Sequence, residues 1–266
     1  MNSAKFALFI LFFFVYSSTN PLFAQKGKPN HLYTFGHASA FIGGLYDGHI
    51  TYGEIKPYGN FGLGAPDKLD GEIVIFNNKF YQTQSTGKTF EVDDHKQTPF
   101  AIINNFNSEK IIKIDKTINK DQLFHLLDSI LMKKNGIYAV HIKAKFIAVK
   151  TRAFPMVTQK PYQPMAQLLA HQQFFNYENV EGDLIGYRLP NYMEGANISG
   201  YHFHFLSDDK TQGGHVIDLM MKDITVEIDE LEGFSIQPPP TEAFQSFDLE
   251  KDRRNEVKAV ELGKKS

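Results

Sequence analysis

The chain of 266 residues contains no cysteine and no tryptophan. Without cysteine there is no disulfide to staple the fold, no thiolate nucleophile and no sulfur ligand. Any metal must therefore be held by nitrogen and oxygen. A charge excess is missing too, since 28 Lys+Arg against 30 Asp+Glu leave a net charge of −2. The electrostatic pull that drives nucleic-acid binding is thus lacking, and the dense basic group at the end, ELGKKS, reads as a solvated tail. There is no repeat of solenoid period and no low-complexity tract beyond Pro238, Pro239 and Pro240. The apolar run from Phe6 to Tyr16 has eleven residues, well short of the about 20 that a membrane-spanning helix needs.

That run follows Lys5 and precedes small and polar residues, with Ala24 ahead of Gln25. A charged start, a short apolar middle and a small residue at the cleavage position predict a secretory signal peptide over residues 1–24. The alternative is an uncleaved anchor or buried helix, which Asn20 and Pro21 interrupt. The expected mature protein is exported, periplasmic or extracellular, with no membrane attachment once the signal is removed. It is 42% hydrophobic and 14% aromatic as a whole chain, ample for a real core.

Residues 37–46 (HASAFIGGLY) predict a short helix closed by glycines. EIVIFNNKFYQTQ predicts a hairpin turning at Asn77, Asn78 and Lys79. FAIINNF and EKIIKI read as strands. NKDQLFHLLDSILMKKNG is the clearest helix: Asn119 is placed to cap it, Gln122 completes a capping box, Leu123, Leu126, Leu127, Ile130 and Leu131 share a face, and Gly136 closes it. IYAVHIKAKFIAVKTR predicts one or two strands and PMAQLLAHQQFF a second helix, after which the pattern is β-rich. The expected class is α+β, with two lobes of mixed or antiparallel sheet, residues 25–157 and a metal-binding lobe 158–266.

Three of the ten histidines crowd into GYHFHFLSDDKTQGGHVIDL, residues 200–219. Strand alternation puts His202 and His204 on one face, with Tyr201, Phe203 and Phe205 on the other. SDDKTQGG is a polar, glycine-ended reversal, so a hairpin folds His215 back beside the pair. Three imidazoles on one sheet face suit a divalent ion with positions left open for water or substrate. Zinc is preferred on donor type, although imidazole also suits iron, copper and nickel. The other reading takes them as ordinary polar-face histidines. The remaining histidines, His141 on a strand among them, show no partner at ligand spacing and read as surface or packing residues.

Beyond this segment, GGLYDGHITYGEIKPYGNFGLG, LDGEIVI, VKTRAFP, EGANISGYHFHFLSDDKTQGGHVIDL and the terminal VELG resemble, in order and spacing, the α-acetolactate decarboxylases. The resemblance runs over essentially the whole chain beyond the signal segment, and its last long block is the specific part. It implies conversion of 2-acetolactate to acetoin and carbon dioxide, a zinc ion held by His202, His204 and His215, two mixed-sheet lobes with the metal at their junction, and a homodimer. It also implies roles for the acid of LDGE, Glu72, for the arginine of the TR pair, Arg152, and for the C-terminal Glu261. Glu256 in the same terminal stretch is a rival to Glu261. One departure stands out: Ala65, in GLGAP, replaces a threonine that the family carries near its site, which removes a hydrogen bond worth roughly 0.5–1.5 kcal/mol, and Pro66 stiffens the loop.

Loss of carbon dioxide from a 2-hydroxy-3-oxo acid requires an electron sink, a cation on the departing carboxylate and a proton donor. An open metal chelated by the ketone and hydroxyl oxygens supplies the sink, leaving an enediolate. A guanidinium such as Arg152 fixes the carboxylate bidentately. Glu72 and Glu261 are candidates for the proton donor and for anchoring the small-molecule substrate. Two other readings remain at the sequence level: a cupin-type isomerase or oxygenase, which would recruit a carboxylate such as Asp208 or Asp209, and an exported, non-catalytic metal- or ligand-binding module.

Overall fold

The computed structural model describes residues 28–264, so the predicted signal segment 1–24 lies outside the described residues. In chain order the first half gives β1 (His31–Phe35), α1 (Ala38–Ile42), β2 (Ile50–Thr51), α2 (Tyr52–Ile55), β3 (Phe61–Ala65), β4 (Glu72–Phe76), β5 (Lys79–Thr83), β6 (Thr89–Glu91), β7 (Gln97–Thr98) and β8 (Phe100–Asn104). The remainder gives β9 (Lys110–Ile114), β10 (Ile118–Asn119), α3 (Lys120–Ile130), β11 (Ile137–Ala153), β12 (Gln173–Leu189), β13 (Gly200–Ser207), β14 (Gly213–Leu231), β15 (Gly233–Gln237), α4 (Glu242–Gln245) and α5 (Arg254–Glu261).

The strands form a seven-stranded sheet ordered β15-β1-β8-β3-β4-β5-β6, a six-stranded sheet ordered β10-β14-β11-β12-β13 with β9 paired to β14, and a two-stranded ribbon of β2 and β7. All pairings are antiparallel except β1 with β15. The class is α+β with mixed sheets, as expected. The sheets, however, do not divide the chain at residue 157. Strands β9, β10 and β11 precede that point yet belong to the six-stranded sheet, and β15 returns to pair with β1. Long-range strand pairing, invisible to a local reading, sets that division.

Local sequence explains the elements that were legible. Asn77 and Asn78 adopt φ of 53° and 62°, the left-handed pair that a two-residue hairpin turn requires and that asparagine tolerates. Lys79 already belongs to β5. At α3 the Asn119 side chain accepts from the Gln122 backbone N–H while the Gln122 side chain accepts from that of Asn119, both at 3.0 Å. That helix stops at Ile130, short of Gly136, because Leu131 turns to ψ 78° and stays buried in the core.

The helix expected over PMAQLLAHQQFF is not formed. Met165–Gln167 and Leu169–His171 are single 3-10 turns, and Gln173, Phe174 and Phe175 are claimed by β12, in register with Ala153, Arg152 and Thr151. The terminal NEVKAVE does form a helix, α5, which buries Val257, Ala259 and Val260. IYAVHIKAKFIAVKTRA is one long strand whose register with β14 shifts at Lys143/Lys145, Phe146/Ala148 and Lys150/Thr151. Val140, Ile142, Ala144 and Phe146 face one core, and Ala139 the other. Beyond the Phe146/Ala148 shift, where the extra residue falls in β11, the parity is reversed: Val149 joins the first group and Phe154 the second. This reversal, the ordinary effect of bulges on alternation, turns Arg152 toward the space between the sheets.

Candidate metal centre and catalytic cavity

Between the two sheets lies a small cavity of about 30 Å³. The seven-stranded sheet contributes Leu63, Gly64 and Ala65 from β3, Glu72 from β4 and Phe100 from β8. The six-stranded sheet contributes Arg152 from β11, His202 and His204 from β13 and His215 from β14. Val260 and Glu261 reach in from α5. All six residues singled out in the sequence therefore line one cavity.

The histidine hairpin folds as expected. His204 and His215 are directly paired across β13 and β14, and Phe203 and Phe205 point into the opposite core. His202 Nε2 lies 3.2 Å from His204 Nε2 and 3.1 Å from His215 Nδ1. One nitrogen from each of the three rings falls within 4.8 Å of the other two. Among the described residues this is the one group of three or more potential ligating side chains so placed. The His204 Nδ1–H donates to the Ile73 carbonyl at 2.8 Å, which fixes the tautomer and leaves the Nε2 lone pair free. Burial, reinforced by Arg152, lowers the pKa of His202 to about 3, and burial holds His204 and His215 well below the usual imidazole range. Three neutral, converging imidazoles are the donor set of a borderline divalent ion, so the residues present fit one.

Glu72 is buried and its Oε1 accepts from Arg152 Nη1, while its Oε2 lies 3.5 Å from His204 Nε2. Burial pushes its pKa up to about 7, with Arg152 opposing and Glu261 adding to the rise. Glu261 lies 3.9 Å from both His202 and His215. Its pKa is likewise pushed up to about 7, by burial first and against the pull of Arg152. Two carboxyl groups poised near neutrality on either side of an imidazole cluster can hold or release a proton at physiological pH. Arg152 is 3% exposed, its Nη2 donates to the Val260 carbonyl at 3.3 Å, and its Nε has no hydrogen-bond partner. A buried guanidinium N–H without a partner is costly, and an anion entering the cavity would supply the acceptor.

Other sequence candidates fall away. Asp208 pairs with Lys143 at the surface, and Asp209 accepts from Ser207 Oγ at 2.6 Å and from the Thr211 N–H at 3.1 Å. Both are engaged elsewhere, so the carboxylates beside the histidines are Glu72 and Glu261 rather than the aspartates of the turn. Glu256 pairs with Lys251 at 2.8 Å, outside the cavity, which leaves Glu261 as the terminal acid in place. Ala65 is on the cavity wall, and its carbonyl accepts from Thr98 Oγ1 at 2.7 Å.

Sequence reasoning missed the loop that carries Glu72. Lys68 and Leu69 both adopt φ of 57°, a left-handed conformation that costs a non-glycine residue of order 1–3 kcal/mol. The loop is tied at Lys68, whose N–H donates to the Tyr46 carbonyl at 2.7 Å and whose carbonyl accepts from the Val157 N–H at 2.8 Å. Gln82 and Gln84 clamp the Asp70 carboxylate at 2.9 and 2.7 Å. The consequence is a buried Leu69 side chain on the cavity wall, three residues ahead of Glu72. The Ile73 carbonyl was equally hidden, since any residue offers one.

A two-sheet α+β architecture enclosing three imidazoles, a buried arginine and two carboxyl groups of raised pKa defines an enzyme-type cavity. The chain belongs to the alpha-acetolactate decarboxylase family: the family profile, described as Alpha-acetolactate decarboxylase, matches residues 32–251. It is 35% identical over 254 residues to the Alpha-acetolactate decarboxylase of Methylococcus capsulatus, covering 95% of this chain and 96% of that one. It is 34% identical over 242 residues to that of Brevibacillus brevis, covering 91% and 85%. The crystal structure of alpha-acetolactate decarboxylase from Bacillus subtilis strain 168 superposes with a TM-score of 0.83 at 32% identity, covering 89% of this chain and all of that one.

Proposed function

We propose that this protein decarboxylates 2-acetolactate to acetoin, a carboxy-lyase reaction, with a divalent ion, zinc first on donor type, held by His202, His204 and His215. The observation that carries the reading is the convergence of three neutral imidazoles beside Arg152 and two protonatable glutamates in one cavity. When bound, the ion supplies Lewis-acid polarisation of the substrate ketone.

The remaining steps belong to the chain's own side chains. Arg152, with its unpartnered Nε, receives the substrate carboxylate and orients the bond to be broken. Cleavage of that bond releases carbon dioxide and leaves its electron pair on the substrate. A proton then joins the carbon that lost carbon dioxide. Glu72 and Glu261, whose burial favours the protonated form, hold that proton. The apolar wall suits the substrate's two methyl groups.

Export rests on the composition of residues 1–24, and a homodimer rests on the family resemblance. No described helix is long and apolar enough to cross a membrane.

The test is incubation of purified protein with racemic acetolactate, measuring acetoin and bound metal together. Stoichiometric metal with acetoin formation supports the reading. Metal without acetoin would return the protein to the class of non-catalytic binding modules.

A further inference from the structure

We propose that Leu69 is the residue that limits the size of the alkyl group on carbon 2 of the substrate, so that a methyl is accepted and longer chains are rejected. This rests on the decarboxylase reading above and goes beyond it by assigning a specificity-determining side chain.

The polar atoms of the cavity, those of the three histidines, Arg152, Glu72 and Glu261, must take the substrate's carboxylate, hydroxyl and ketone. What remains of such a substrate is hydrocarbon, and it is left to the apolar wall, which includes Leu63, Ala65, Leu69, Phe100 and Ile198. That wall has little freedom to adjust. Phe41 stacks on Phe100 with centroids 5.7 Å apart and planes at 9°. A side chain at Gly64 would meet the Phe100 carbonyl at 2.5 Å, and the Ala65 carbonyl is bonded to Thr98.

Leu69 differs from these residues in how it is placed. It sits on a loop, and its left-handed backbone is held between two anchored neighbours, Lys68 bonded to Tyr46 and Val157 and Asp70 bonded to Gln82 and Gln84, rather than by a strand ladder. A loop that keeps a strained leucine buried against the cavity, on the same short segment that delivers Glu72, fixes an apolar stop at a set distance from the reacting groups. Leu69 makes no polar contact with the site. Shortening it therefore adds volume without removing a catalytic atom.

The experiment compares kcat/KM for 2-hydroxy-3-oxobutanoates bearing methyl, ethyl or propyl at carbon 2, in the wild type, Leu69→Ala and Leu69→Gly. A rigid hydrophobic pocket discriminates by about 10–200-fold per methylene. The wild type is expected to prefer methyl to ethyl by at least about 10-fold, and both variants to shrink that ratio by about 10-fold. Glycine adopts the left-handed backbone without strain, so the second variant answers the question if the first does not fold. A ratio within about twofold of wild type, in variants that still consume the methyl substrate, overturns the proposal. If the wild type consumes none of the three, the activity reading fails by itself. Size selection is then read from the thermal shift given by 2,3-butanediol against 3,4-hexanediol. A preference for the smaller diol that Leu69→Ala loses supports the steric role, and equal or absent shifts overturn it.

Discussion

At His141 both ring nitrogens are occupied, Nδ1 by Glu227 at 2.6 Å and Nε2 by Asp183 at 2.9 Å. At His202, His204 and His215 the facing nitrogens have chiefly one another. Both clusters lie on the six-stranded sheet facing the other sheet, His141 against Phe61 and Phe76 at 6.3 and 5.1 Å between centroids. Their pKa values move in opposite directions. Burial works against the charge on His141, yet hydrogen bonds from its two carboxylate partners raise it above the usual imidazole value. In the triad burial and Arg152 push all three down. A histidine whose polar atoms are all paired with carboxylates is a cross-link between strands β11, β12 and β14. Imidazoles left neutral and aimed at a common point are donors that could hold a metal ion. Identical residue type and similar burial thus yield opposite chemistry, decided by what stands opposite each nitrogen.

The sharpest way to break this contrast is His204→Ala. It should remove bound metal, measured by elemental analysis, together with acetoin formation. A lost electron sink is worth several kcal/mol, so turnover should fall by about 10³-fold or more. Full metal content in this variant would mean that the convergence is accidental.

Arg152→Ala should keep the metal but lose about 10²–10³-fold in kcat/KM, because charge-assisted hydrogen bonds to an anion contribute about 1.5–3 kcal/mol each. It also leaves Glu72 buried without its counter-charge, so the melting temperature should fall. Near-normal turnover would remove the carboxylate-anchoring role.

Glu72→Gln keeps shape and metal and should slow turnover by about 10²-fold, the lower range for a lost general acid. An unchanged rate would move proton delivery to Glu261.

The smallest effect on activity is expected at His141→Phe, which should leave the turnover of folded protein intact and cost roughly 1–3 kcal/mol of stability by stranding buried carboxylate oxygens. The pH dependence of that loss is the finer test. A raised histidine pKa stabilises the fold fully below the unfolded value of about 6.5, and the contribution disappears as pH rises through the folded value. Wild type should therefore exceed the variant most in mild acid and converge with it at alkaline pH, measured by denaturant unfolding. In metal-free protein the triad contributes with the opposite sign. Its histidines stay neutral when folded, so below about pH 6.5 the unfolded chain takes up protons that the native state refuses, and their contribution falls with pH. A variant that loses stability equally at every pH would show that His141 is not a charged cross-link.

Much of this was legible because it was local. The alternation of YHFHF placed two imidazoles on one face, the Gly213–Gly214 end of the turn returned His215 to them, and Asn119 with Gln122 wrote the start of α3. The expected helix over residues 164–175 failed where propensity lost to pairing, since β11 offered Gln173, Phe174 and Phe175 a ladder. His141 could be read only as an isolated polar residue in an apolar run, because its partners Asp183 and Glu227 lie on two other strands.

The amino-acid order by itself determined the class of fold, the nitrogen-and-oxygen chemistry of any metal site, and the histidine hairpin, for these follow from composition and from the period of a strand. Only the tertiary structure decided that Arg152 faces the cavity, through bulges that reverse the parity of β11, and that Glu72 and Glu261 meet beside the same three rings. Both outcomes depend on distant strands and a terminal helix excluding water from charged groups. No local pattern in a chain records that exclusion, yet it sets their proton affinities.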